Sequence, residues 1–140
     1  MQKRKELLEK GQEKDRNEEV FFMIRTREDD LTIGFIGLDG IRWNHGDAYV
    51  GIGIGEREFR GKGYGTDAMQ VLLKYAFTEL NLHRVSLNVF AYNSMAIRSY
   101  EKAGYVIEGK QREYLNREGK RWDMVFMGVL KEDWMKTGAT

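Results

Sequence analysis

The segment Arg60-Gly61-Lys62-Gly63-Tyr64-Gly65-Thr66 constrains this chain more than any other stretch. It follows the apolar run Tyr49-Val50-Gly51-Ile52-Gly53-Ile54 and leads into a helical pattern, so the local order is strand, glycine-rich turn, helix. Such a turn aims several backbone N–H groups at one spot, at the positive end of a helix dipole, and that spot suits a phosphate. Glycines in a tight strand-to-helix connection give the same pattern for purely structural reasons. Two nucleotide loops fail on the residues. A P-loop needs Ser or Thr after its lysine, but Lys62 precedes Gly63, and its first glycine would fall on Glu56. A dinucleotide fingerprint needs a third glycine where Thr66 stands, after a parallel strand rather than an antiparallel one.

The surrounding pattern is mixed α/β. Val20–Arg25, Leu31–Leu38 and Asp47–Ile54 read as strands joined by polar turns, an antiparallel meander. A helix is expected from about Thr66 to Leu80, where Ala68, Leu72, Tyr75 and Ala76, and also Met69, Leu73 and Leu80, recur at helical spacing. Apolar residues on more than one side imply that this helix is well covered. Arg84–Phe90 alternates as a strand. A short helix follows over Ser94–Ala103, with Asn93 or Ser94 capping its start and Gly104 its end. Tyr105–Gly109 and Trp122–Leu130 are the last strands, with a polar loop between them. The fold expected is a β-meander followed by βαβαββ, in one domain over 1–140 with its core at 20–134 and a charged helical segment at 1–19.

Composition narrows the partners. Net charge is +1, which gives no global pull towards nucleic acid or membrane, and no basic-aromatic nucleic-acid module is present. No apolar run is long enough to span a bilayer, and the charged beginning lacks a secretory pattern, so a cytoplasmic protein is expected. The absence of cysteine removes disulfides, thiolate metal ligands and a Cys nucleophile. No spacing of His or carboxylates suggests a metal site, and His45, in a turn, and His83, before a strand, read as structural.

Arg60, Gly63 and Gly65 fit the pattern Arg-x-x-Gly-x-Gly, which resembles the acetyl-CoA pyrophosphate loop of the GNAT N-acetyltransferases. Residues 93–105 resemble that family's second motif, Asn-x-x-Ala-x-x-x-Tyr-x-x-x-Gly-Phe/Tyr, through Asn93, Ala96, Tyr100, Gly104 and Tyr105. Leu80–Val85 also resembles the branch that acetylates polyamines and ribosomal-protein N-termini. The match covers roughly residues 31–134, with both motifs in family order.

The resemblance implies a splayed central sheet. The strand Val50–Ile54 would part from Val85–Phe90, and the pantetheine arm of acetyl-CoA would lie in the split. Backbone groups of Ile52, Gly53 and Ile54 would hold it, a β-bulge being expected in this strand. The N–H groups of Arg60, Gly61, Lys62, Gly63, Tyr64, Gly65 and Thr66 would cradle the pyrophosphate, with Arg60 and Lys62 adding charge. N–H groups near Ile52 and Gly53 would face the thioester oxygen, and such donors each supply roughly 3–4 kcal/mol. An amine would attack the thioester directly. Tyr100 occupies the family's acid position, and a phenol of ordinary pKa about 10 carries its proton at neutral pH. Its structural alternative is a core aromatic on an amphipathic helix. Asn93 would orient the pantetheine, cap the helix, or do both. No residue is marked as the base; Glu56, Glu58 and Glu101 are candidates by proximity only.

The acceptor expected is a small-molecule or peptidyl amine. Relative to the family the chain reads as shortened before Val20, where a strand and helices would otherwise stand. That leaves the Val20–Arg25 edge open to pairing, and self-association is expected. Equilibrium ultracentrifugation at micromolar concentration reads it, and monomer alone would remove the idea. Two rivals remain at this stage: a non-catalytic acyl-CoA-binding or regulatory module, and an interaction domain whose glycine turn is structural.

Overall fold

Strand pairing is set by which faces each strand can bury. The computed structural model describes residues 18–55 and 63–137. The charged segment up to residue 17, and Glu56, Glu58, Arg60, Gly61 and Lys62, lie outside the described residues. The described part is a six-stranded sheet with helices: β1 (Val20–Arg25), β2 (Thr32–Arg42), β3 (Asp47–Ile54), α1 (Tyr64–Lys74), β4 (Arg84–Phe90), α2 (Ser94–Ala103), β5 (Val106–Arg117), β6 (Lys120–Leu130) and α3 (Lys131–Lys136). Strand order is β1-β2-β3-β4-β6-β5. Among the described residues the only parallel neighbours are β3 and β4; the other pairs are antiparallel.

Alternation explains the meander. Phe22 and Ile24 of β1 and Ile36 and Leu38 of β2 are buried on one face, while Phe21 and Phe35 meet on the other at 6.2 Å between ring centroids. The β3 residues Val50, Ile52 and Ile54 sit opposite Leu38, Ile36 and Gly34 and pack against the same core. Helix α1 supplies Ala68, Met69, Leu72 and Leu73 to this core. It runs on through a wide π-helical turn, Tyr75–Glu79, which places both Ala76 and Phe77 fully inside.

The turn between β2 and β3 sets the parallel pair. Gly46, at φ 72°, accepts with its carbonyl from His83 N–H at 2.6 Å and Arg84 N–H at 3.0 Å. That carbonyl clamps the start of β4 beside the start of β3. Arg42 closes the same turn with a two-point hydrogen bond to the Asp47 carboxylate, at 2.9 and 2.6 Å. Pairing of β3 with β4 then covers only Asp47–Tyr49 opposite Arg84–Ser86, and from Val50 the strands separate. The expected splay is therefore present. The bulge expected in β3 is not: pairing with β2 is unbroken from Ile54 to Tyr49, and the shift falls between Asp39 and Arg42 of β2, at Gly40 with φ 61°.

Further features differ from the sequence reading. First, β5 and β6 extend far beyond the expected strand ends and meet at a turn through Glu118 (φ 54°) and Gly119 (φ 77°). Most of β5 is exposed on both faces, so it carries no alternation to read. The hairpin is held by its backbone ladder and by rings at its far end: Tyr92 packs edge-on to Trp122 at 5.5 Å, with Arg117 over Tyr92 at 4.1 Å and Lys120 over Trp122 at 4.3 Å. Second, β5 has an extra residue, Glu108, between Ile107 and Gly109, and its carboxylate takes two hydrogen bonds from Arg84, at 2.8 and 2.9 Å. A Cβ on Gly128 would come within 2.5 Å of that guanidinium, so the glycine leaves room for the pair. Third, α3 buries Trp134 against Phe77 at 5.3 Å.

Candidate functional site

The split between β3 and β4 opens onto a cleft of about 460 Å³, within the range usual for small-molecule sites. Three elements wall it: Ile52 and Ile54 from β3; Gly63, Gly65 and Thr66 from the start of α1; and Asn93 to Lys102 from one side of α2. The parting strands leave the β3 backbone without a β4 partner beyond Tyr49. A polar chain laid there would find the donors and acceptors that a neighbouring strand would otherwise use.

Gly63 stands at the N-cap of α1 with φ 87°, and no side chain caps it. This left-handed geometry favours glycine, and a Cβ at Gly63 would meet no atom within 4 Å, so backbone shape rather than crowding requires it. The first intrahelical bond runs from Asp67 N–H to Gly63 C=O at 3.0 Å. The amides of Gly65 and Thr66 thus precede the helical ladder. Thr66 and Ser99 hydroxyls lie 2.7 Å apart, tying the first turn of α1 to the middle of α2.

Asn93 caps α2 with its side-chain oxygen, which accepts from Ala96 N–H at 3.2 Å. Its amide nitrogen is not used in that cap, and the residue lines the cleft. Tyr100 is partly buried against the core and also faces the cleft. Burial alone pushes its phenol pKa up, because the phenolate loses solvation, so the hydroxyl keeps its proton through neutral pH. Among the described residues no hydrogen bond engages that hydroxyl. Tyr105, 6.1 Å from Tyr100 ring to ring, is fully enclosed, and its hydroxyl donates to the Met69 sulfur at 3.4 Å. It belongs to the core.

Of the residues singled out from sequence, Ile52, Ile54, Gly63, Gly65, Thr66, Asn93 and Tyr100 meet at the cleft. Tyr64 packs against the core instead. Gly53 lies on β3 without lining the cleft; a Cβ there would strike the Phe35 ring at 2.7 Å, so this glycine makes room for Phe35. Arg60, Gly61 and Lys62 fall outside the described residues. Met95, Arg98, Ser99 and Lys102 line the cleft and were not singled out, while Ala96, a motif position, lines it too. The three- and four-residue spacing of Met95, Arg98, Ser99 and Lys102 along α2 is the signal that would have found them. His45 and His83 lie at the Gly46 turn, away from the cleft. No helix of the described residues is long and apolar enough to cross a membrane.

Comparison with known proteins agrees with this geometry. The model of the acetyltransferase (GNAT) domain matches residues 1–106. The probable N-acetyltransferase YjcK of Bacillus subtilis is 34% identical over 131 residues, covering 93% of this chain and 72% of that protein. The putative ribosomal N-acetyltransferase YdaF of the same organism is 36% identical over 101 residues, covering 72% of this chain and 55% of that protein. The crystal structure of spermidine N-acetyltransferase from Vibrio cholerae in complex with CoA and spermine superposes with a TM-score of 0.77 at 32% identity, covering 85% of this chain and 69% of that one. This chain therefore spans between about half and three quarters of the lengths of these relatives. An uncapped helix start beside two parting strands, and sequence likeness running through both, lead to one assignment: the chain belongs to the GNAT acetyltransferase family.

Proposed function

We propose that this chain binds acetyl-CoA in the β3–β4 split and transfers the acetyl group to a primary amine. The observation that carries this reading is the convergence at one cleft of an uncapped glycine-led helix start, a β3 edge without a β4 partner and a protonated phenol. Acetyl-CoA supplies an activated thioester; this chain supplies its binding and the proton. Amides at Gly63, Gly65 and Thr66, with those of Arg60, Gly61, Lys62 and Tyr64, hold the pyrophosphate, where the helix dipole favours negative charge. The backbone of Ile52, Gly53 and Ile54 holds the pantetheine, and Asn93 orients it while capping α2. Tyr100 donates its proton to the departing sulfur. The names of the relatives suggest the acceptor class: a polyamine such as spermidine, or an amine of a ribosomal component.

Calorimetric titration with acetyl-CoA, followed by detection of free thiol in the presence of amines, tests this reading. Saturable binding and amine-dependent thiol release are expected. Binding with no transfer to any amine would support a non-catalytic acyl-CoA-binding module instead. No binding would leave the glycine turn a purely structural role.

A further inference from the structure

The ion pair that crosses β6 has no part in the chemistry proposed above. Arg84 opens β4 and Glu108 belongs to β5, and these strands are not neighbours, because β6 lies between them. The two side chains meet over Gly128 of β6, which stands opposite Ser86 of β4 and Val106 of β5. Arg84 donates to both carboxylate oxygens, at 2.8 and 2.9 Å, and to the Ser86 hydroxyl at 3.3 Å. A Cβ at Gly128 would lie 2.5 Å from the guanidinium and 2.7 Å from the carboxylate, so the strap needs that glycine. One end of the strap is anchored, since the Arg84 N–H donates to the Gly46 carbonyl at 3.0 Å. The other end is the extra residue of the β5 bulge. Both side chains are partly exposed, and such a pair adds little to stability. Its two-point geometry fixes orientation instead.

What it orients is the chain leaving α2. Gly104 ends that helix, and the Tyr105 N–H donates to the Tyr100 carbonyl at 3.0 Å. Glu108 follows three residues later. Among the described residues β5 pairs with β6 alone and is exposed along most of its length, so no buried face sets its register. A slip of one residue at the bulge would turn the β5 side chains over and pull on the end of α2.

We propose that the Arg84–Glu108 strap over Gly128 is a positioning device for Tyr100: it locks the start of β5 to the start of β4 and so holds α2, with its phenol, at the β3–β4 split. This rests on the acetyl-transfer reading of the cleft. Neither residue lines the cleft, so both act through α2.

Three variants break the strap by different means. E108Q removes the charge and keeps the shape, and R84K removes the two-point fork. Gly128→Ala displaces both side chains while leaving them unchanged; its clash is with flexible side-chain ends, so folding is preserved. The full chain and each variant are compared by thiol-release kinetics with the best acceptor of the amine screen, by calorimetric acetyl-CoA affinity and by denaturant midpoint. Each variant is expected to lower kcat roughly tenfold, short of the hundredfold that a 1 Å misplacement costs, with acetyl-CoA affinity nearly unchanged. R84K/E108Q should be no slower than either single variant, and none should slow Tyr100→Phe further, because all act through one hydroxyl. Wild-type turnover in the variants, or kcat and affinity falling in parallel, would overturn the proposal in favour of a structural pair. Titration of the Tyr100 phenol, followed by NMR of ring-labelled tyrosine and assigned through Tyr100→Phe, needs no turnover. Burial raises its pKa, and breaking the strap should move it back towards the ordinary value as α2 shifts. Wild type that transfers to no amine would remove the acetyl-transfer reading; the strap itself is then judged by this titration, and an unchanged titration would overturn it too.

Discussion

Tyr100→Phe is expected to lower kcat by about 10²–10⁴-fold, the usual contribution of a positioned general acid, with acetyl-CoA affinity nearly unchanged. Phenylalanine keeps the ring that packs against the core and against Tyr105, so a change in turnover reports the hydroxyl and not the fold. The acid must be protonated when the sulfur departs. Burial raises the Tyr100 pKa above its ordinary value of 10.0. The raised value keeps the hydroxyl protonated throughout the neutral range and lets wild-type turnover climb with pH as the acceptor ammonium, of pKa about 10.4 for a lysine-like amine, loses its proton. Loss of the acid form should set in only at higher pH than for a solvent-exposed tyrosine. Steady-state kinetics with thiol detection, across pH and with calorimetric affinity alongside, make the measurement. Turnover equal to wild type would mean that water or another group protonates the sulfur.

Gly34→Ala is expected to destabilise the chain by about 3 kcal/mol or more, since the clash is with backbone and cannot be relieved by a rotamer change. A Cβ at Gly34 would lie 2.0 Å from the Gly53 carbonyl oxygen and 2.9 Å from the Ile54 Cα. To accept it, β3 must move away from β2 at the stretch where the two are paired, Gly34 opposite Ile54 and Phe35 opposite Gly53. That stretch of β3 also forms one wall of the cleft, so acetyl-CoA affinity should fall with stability. Gly51→Ala is the matched control. Its nearest neighbour would be the Phe21 ring at 3.9 Å, ordinary contact, and its effect should stay within about 1 kcal/mol. Denaturant midpoints of the two variants are the readout, and a Gly34→Ala midpoint at the wild-type value would show that β2 and β3 are not packed as described.

Both predictions combine residues legible in the chain with contacts that are not. The bounds of β1, β3, β4 and α2 follow from local pattern, because alternation, a capping Asn93 and a terminating Gly104 act within a few residues of one another. The cleft residues Ile52, Ile54, Gly63, Gly65, Thr66, Asn93 and Tyr100 were legible because the two motifs have family spacing. Periodicity reports only which face of an element is buried. Most of β5 and the outer end of β6 are exposed and gave no pattern, and the pairing of the hairpin depends on a backbone ladder between residues up to 22 positions apart, as in Val106 opposite Gly128. The bulge at Gly40, the crowding of Gly34 by Gly53 and of Gly53 by Phe35, and the docking of Trp134 on Phe77 depend on neighbours distant in sequence.

The sequence by itself determined the order of most elements, the family and the phenol proposed to carry the proton, since each is written in short-range spacing. Only the tertiary structure decided that β6 enters between β4 and β5, and that Arg98 and Lys102 face the same cleft as the glycine turn. Those outcomes depend on how sheet and helices share one core, a balance of non-local contacts that no window of residues contains.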